Sequence, residues 1–133
     1  MKYFVYKITY YKKIENEKNM KKINTLKKNY EFRNVLSKGK FYCGKYITVY
    51  IKQNNIKKNV IGIAVNTKVG KAVKRNKIKR LIRENYRLIK NNIFEGNNIV
   101  FLWNKNAKIN DVNFFEIKKD FLNIFQKANL FKK

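Results

Sequence analysis

The chain has 133 residues, 44% of them hydrophobic, which is enough to bury one core and little more, so a single domain is expected. A formal net charge of +25 calls for a polyanionic partner, and at this size that means nucleic acid. One cysteine and no histidine exclude a disulfide framework and a Cys/His zinc site. No run approaches the roughly 18 apolar residues of a membrane span, and Lys7 interrupts the opening MKYFVYKITYY too early for a signal peptide, so the expected setting is the reducing cytoplasm.

Residues 1–22 differ from the remainder, with a Tyr-rich start followed by the charged run KKIENEKNMKK. They read as an N-terminal extension, flexible or loosely attached, or as sequence ahead of a start at Met20; the domain proper is expected over 23–133. A first helix, YEFRNVLSK, is capped by Asn29, turns Phe32, Val35 and Leu36 to one side and ends at Gly39. KYITVYIK alternates with period two, placing Ile47, Val49 and Ile51 on one face and Tyr46, Thr48 and Tyr50 on the other. A further strand is expected within FYCG or just before Tyr46. After the turn at QNNIKKN, VIGIAVN presents Ile61, Ile63 and Val65 opposite Gly62 and Ala64. A helix over about 71–91 and the strand NIVFLW follow. A last helix from Asp111 to about Leu130 buries Phe114, Ile117, Phe121 and Ile124, with acids early and lysines late as the helix dipole favours. This order predicts an α+β sandwich with helices against one small sheet.

The second helix carries the functional signal. Only five residues of the chain are arginine against 28 lysines, yet Arg75, Arg80, Arg83 and Arg87 fall within thirteen positions. An AT-rich coding bias accounts for lysine almost everywhere and cannot account for that cluster. At 100° per residue Ile78, Leu81, Ile82 and Ile89 form a core stripe, and Asn76, Arg80, Arg83 and Arg87 gather on the opposite side, flanked by Lys79 and Lys90. Glu84 is the only acid of the segment, so the arginines are not expected to serve intrahelical ion pairing. Arginine's planar fork grips phosphate bidentately and stacks on bases, which lysine cannot do, so this face is expected to bind a polynucleotide. Asn85 is discordant, lying inside the apolar stripe.

GKAVKRNKIKRLIRE (70–84) resembles the signature of the bacterial ribonuclease P protein family, Gly-x-Ala-Val-x-Arg-Asn-Arg-x-Lys-Arg-x-x-Arg-Glu. Gly70, Ala72, Val73, Arg75, Asn76, Lys79, Arg80, Arg83 and Glu84 match; Lys77 stands where the pattern has arginine, and the lysine pair often found before it is reduced to Lys68. LKKNYEF (26–32) resembles the approach to the family's first helix, and the resemblance covers about residues 22–131. It implies a two-layer α-β-β-β-α-β-α sandwich with a central four-stranded sheet, similar to a ribosomal-protein domain. Its β-α-β crossover is left-handed, against the general right-handed preference.

The resemblance also implies a small basic cofactor for a catalytic RNA that removes the 5′ leader of precursor tRNA. Its partners are then ribonuclease P RNA and precursor tRNA, with no membrane and no protein partner required. The residues agree: there is no histidine for general-base work, and the eight carboxylates are scattered, so no catalytic and no metal-ligating residue is assigned and Mg2+ is expected to be held mainly by the RNA. The RNA-binding set is Lys68, Lys71, Lys74, Arg75, Asn76, Lys77, Lys79, Arg80, Arg83 and Arg87. The resemblance implies a leader-binding cleft between the first helix and the sheet, which Phe32, Leu36, Tyr46 and Tyr50 are expected to line, with Gly62 and Ala64 leaving room for stacked bases. Gly62 and Gly70-Lys71 do not form a phosphate loop, because seven residues separate the glycines rather than four and Ala72 replaces the required Ser/Thr. A ribosomal or ribosome-associated RNA-binding protein is the alternative, distinguished by co-purification with ribosomal subunits. A DNA-binding architectural protein is a further rival, for which the chain offers no dimer seam or half-site logic.

Overall fold

The computed structural model describes residues 23–105, 107 and 112–132, so the N-terminal extension lies outside the described residues. The elements are β1 (Asn24–Thr25), α1 (Asn29–Lys38), β2 (Lys40–Cys43), β3 (Ile47–Gln53), β4 (Val60–Ala64), α2 (Ala72–Ile89), β5 (Asn97–Trp103) and α3 (Phe114–Lys127). They form one five-stranded sheet in the order β1-β4-β5-β3-β2. β3 runs antiparallel to β2 and β5, whereas β4 is parallel to β5 and reaches it through α2. The mixed α+β class and the order of helices and strands are those expected. The fifth strand is β1, two residues pairing parallel to the edge of β4, too short to carry an alternation that sequence could show.

The helices divide between the two faces of the sheet. α2 and α3 cover one face through a core of Ile47, Val49, Ile61, Ile99 and Phe101 with Ile78, Ile82, Phe121 and Phe125. α1 covers the other through Val35, against Val60 and Val100. The reason lies in the strands. Val60 and Val100 alternate with Ile61, Ile99 and Phe101, so both faces are apolar and both need cover. Phe101 and Phe121 stack with centroids 5.1 Å apart, and Phe125 packs on both; each such ring contributes about 1.5–3 kcal/mol by burial. Tyr86 lies edge-on to Phe101, and burial, with a smaller contribution from the charge of Glu95, pushes its phenol up to about 12.

Local caps set the helix ends. α1 starts from Lys28, whose N–H donates to the Glu31 carboxylate at 3.1 Å; Asn29 lies in the first turn and is not the cap. Asn113 caps α3, its side chain accepting the Glu116 N–H at 3.1 Å. Asp120, in the middle of α3, is a buried carboxylate that accepts the backbone N–H groups of Lys45, Tyr46 and Ile47 at 3.0, 2.7 and 3.1 Å. It thereby fixes the turn between β2 and β3, and the chain meets it at Gly44, where a Cβ would fall within 3 Å of the carboxylate.

Candidate nucleic-acid interface

The arginine helix is entered from β4 through a single 3-10 turn, Thr67–Val69, where the Asn66 side chain accepts the Lys68 N–H at 2.8 Å. Ile78, Leu81 and Ile82 are buried as the stripe predicts and anchor α2 to the sheet. Asn85 belongs with them: it is buried, and its amide donates to the Leu81 carbonyl at 3.1 Å and to the Phe114 carbonyl at 3.4 Å. The discordant polar residue thus ties α2 to the start of α3.

On the outer side, Lys68, Lys71, Lys74, Asn76, Lys77, Arg80 and Arg83 are exposed, and Lys79 and Arg87 are half-buried. Arg75 is also half-buried and donates to the Gly70 carbonyl at 3.3 Å, so part of its role is to close the loop onto the helix. Val73, an apolar member of the signature, is 81% exposed among these cations. One expectation needs correction. Arg80 does have an acidic neighbour, with its Nε 3.9 Å from the Glu84 carboxylate one turn on. At that distance, with Arg80 largely in solvent, the pair contributes only a few tenths of a kcal/mol and leaves the guanidinium accessible.

The second candidate surface lies on the α1 face of the sheet. Phe32, Leu36 and Tyr50 are brought together there, packed around Val35 and Val100. The space expected above Gly62 is occupied by the Phe32 ring, which a Cβ at that position would strike. Tyr46 does not join them. It is buried on the other side of the sheet, stacked on Trp103 with centroids 5.7 Å apart. β3 begins only at Ile47; residue 46 still belongs to the turn held by Asp120, so the period-two pattern does not extend to it.

Two features of this surface have no sequence signal. A groove of about 740 Å³ runs beside α1, walled by Tyr30, Glu31, Arg33, Asn34, Ser37 and Asn98 in addition to Leu36, so the fifth arginine also faces a concave surface, with an acid beside it. Phe41, on β2, pairs with Tyr50 in register and its ring lies 5.7 Å from it. Among the described residues no group of three or more cysteine, aspartate or glutamate side chains is placed to hold a metal ion, and no helix is long and apolar enough to cross a membrane.

The sequence pattern of the family described as Ribonuclease P matches residues 20–129. The chain belongs to the ribonuclease P protein family. It is 37% identical over 114 residues to the ribonuclease P protein component of Natranaerobius thermophilus, an alignment covering 86% of this chain and 97% of that one. To the Clostridium botulinum protein component it is 38% identical over 111 residues, covering 83% and 98%. The fold matches the Staphylococcus aureus RNase P protein with a TM-score of 0.72 at 34% identity, covering 84% of this chain and 100% of that one. The Thermotoga maritima RNase P protein gives 0.71 at 30% identity, covering 78% and 96%. The chain is accordingly a ribonuclease P protein subunit.

Proposed function

We propose that this subunit binds ribonuclease P RNA through the exposed cations of α2 and the 5′ leader of precursor tRNA in the cleft beside α1. Catalysis of leader removal resides in the RNA, with Mg2+ held mainly by RNA phosphates and the particle working in the cytoplasm without a further protein partner. The observation that carries this reading is the separation of the two surfaces. α2 packs on one face of the sheet with Asn76, Arg80 and Arg83 turned outward, and Phe32, Leu36 and Tyr50 gather on the opposite face. Forked cations suit the phosphates of a folded RNA, and half-buried aromatics suit the unstacked bases of a single strand. Reconstitution with a bacterial ribonuclease P RNA tests it. The protein alone should cleave nothing, and its addition should lower the magnesium required for leader removal. Robust cleavage by protein freed of RNA would overturn the proposal.

A further inference from the structure

The cleft does not end at Tyr50. Phe41, Tyr50, Val100 and Gly62 are consecutive partners across β2, β3, β5 and β4, so they form one row on the α1 face of the sheet. Exposure rises along that row. Gly62 lies under the Phe32 ring, Val100 is fully buried under α1, Tyr50 is half-buried, and Phe41 is 61% exposed. The row therefore opens toward β2, the outermost strand. A single exposed apolar side chain is ordinary and needs no explanation. Phe41 differs because its ring is tilted 34° against that of a cleft residue, leaving the two rings as one continuous aromatic shelf. Lys52 lies two residues beyond Tyr50 on the same face of β3, within reach of a phosphate on a strand crossing the shelf.

We infer that Phe41 is a further nucleotide-binding residue, providing an outer stacking position for one more unpaired base of the single strand held at Phe32 and Tyr50. The inference rests on the leader-binding reading of the cleft and extends it outward. An aromatic platform beside a cation is the arrangement that holds single-stranded RNA without regard to sequence, so the extra position should add reach rather than base preference.

The test uses the holoenzyme and precursor tRNAs whose leaders are lengthened one nucleotide at a time, each affinity taken relative to mature tRNA. With the natural protein the ratio should climb with leader length to a plateau. Phe41→Ala should bring the plateau one nucleotide earlier and cut the long-leader ratio about tenfold, the cost of one stacked base, while leaving the shortest leaders unchanged. Phe41→Trp should restore the late plateau and Phe41→Leu should not, which separates stacking from simple apolar cover. A plateau at the natural length in Phe41→Ala overturns the inference, as does a loss equal at every leader length. Tyr50→Ala, measured in the same series, distinguishes the two levels of failure. If it lowers the ratio and Phe41→Ala does not, only the outer position falls. If neither lowers it, the leader-binding reading falls too.

Discussion

Replacing Arg80 and Arg83 together by alanine is expected to weaken binding to ribonuclease P RNA by more than either change alone, at roughly 1–3 kcal/mol for each charge-assisted phosphate contact, without strict additivity because the two are i,i+3 neighbours on one helix. Both side chains are exposed on one side of a helix whose opposite stripe, Ile78, Leu81 and Ile82, is fixed in the core, so their loss leaves the anchor intact. The salt dependence of binding should become shallower by about two units, because about two phosphate contacts are lost. Arginine-to-lysine replacement at both positions separates charge from geometry: the salt slope should be retained while affinity falls, since lysine lacks the fork. Arg33→Ala is the control, its side chain lying on α1 away from the arginine helix. An equal loss from Arg33→Ala would deny the cluster any special status. Thermal unfolding of the Arg80 variant checks that separating it from the buried Glu84 has not altered the helix.

Asp120→Ala is expected to cost about 3–5 kcal/mol of folding stability, because three backbone donors lose one charged, buried acceptor at once. The damage should centre on the turn before β3 and on Tyr46, whose stacking on Trp103 depends on where that turn is held. Asp120→Asn keeps an oxygen for the pair of donors at Tyr46 and Ile47 and turns an amide toward the Lys45 N–H, so its cost should be smaller, about 1–3 kcal/mol. Gly44→Ala, which forces a methyl group against the same carboxylate, should also destabilise. Urea unfolding measures all three. A loss below about 1 kcal/mol for Asp120→Ala would mean that water satisfies the turn as well as the carboxylate does.

Most elements were legible because each carries its own period. The stripe of α2, the alternation of β3 and the apolar side of α3 depend on neighbours in sequence, and the structure reproduces them within a few residues. What escaped depends on partners far along the chain. Asp120 looks like one more solvated acid on a lysine-rich helix, and its donors lie more than seventy residues away. Asn85 looks like a fault in the stripe until the Phe114 carbonyl is placed beside it. Tyr46 shows the opposite error, a local period carried past the point where the strand begins. For the cleft, helix and strand patterns could suggest Phe32, Leu36 and Tyr50, but only the pairing of β2 with β3 puts Phe41 beside Tyr50. The Phe32 ring over Gly62 shows why small residues on a strand do not by themselves mean open space.

The division of labour between the two surfaces is tested most directly by the affinity ratio between precursor and mature tRNA, measured with holoenzymes carrying Phe32→Ala or Tyr50→Ala. Both residues are only half-buried, but Phe32 packs on the sheet, so folding is confirmed first by thermal unfolding, and Tyr50→Phe, which keeps the ring, should be mild. In folded variants the ratio should fall by about 1–3 kcal/mol per lost stack, with mature tRNA bound as before and assembly with ribonuclease P RNA nearly unchanged. An unchanged ratio would show that these aromatics serve only the core and that the leader is bound on another surface.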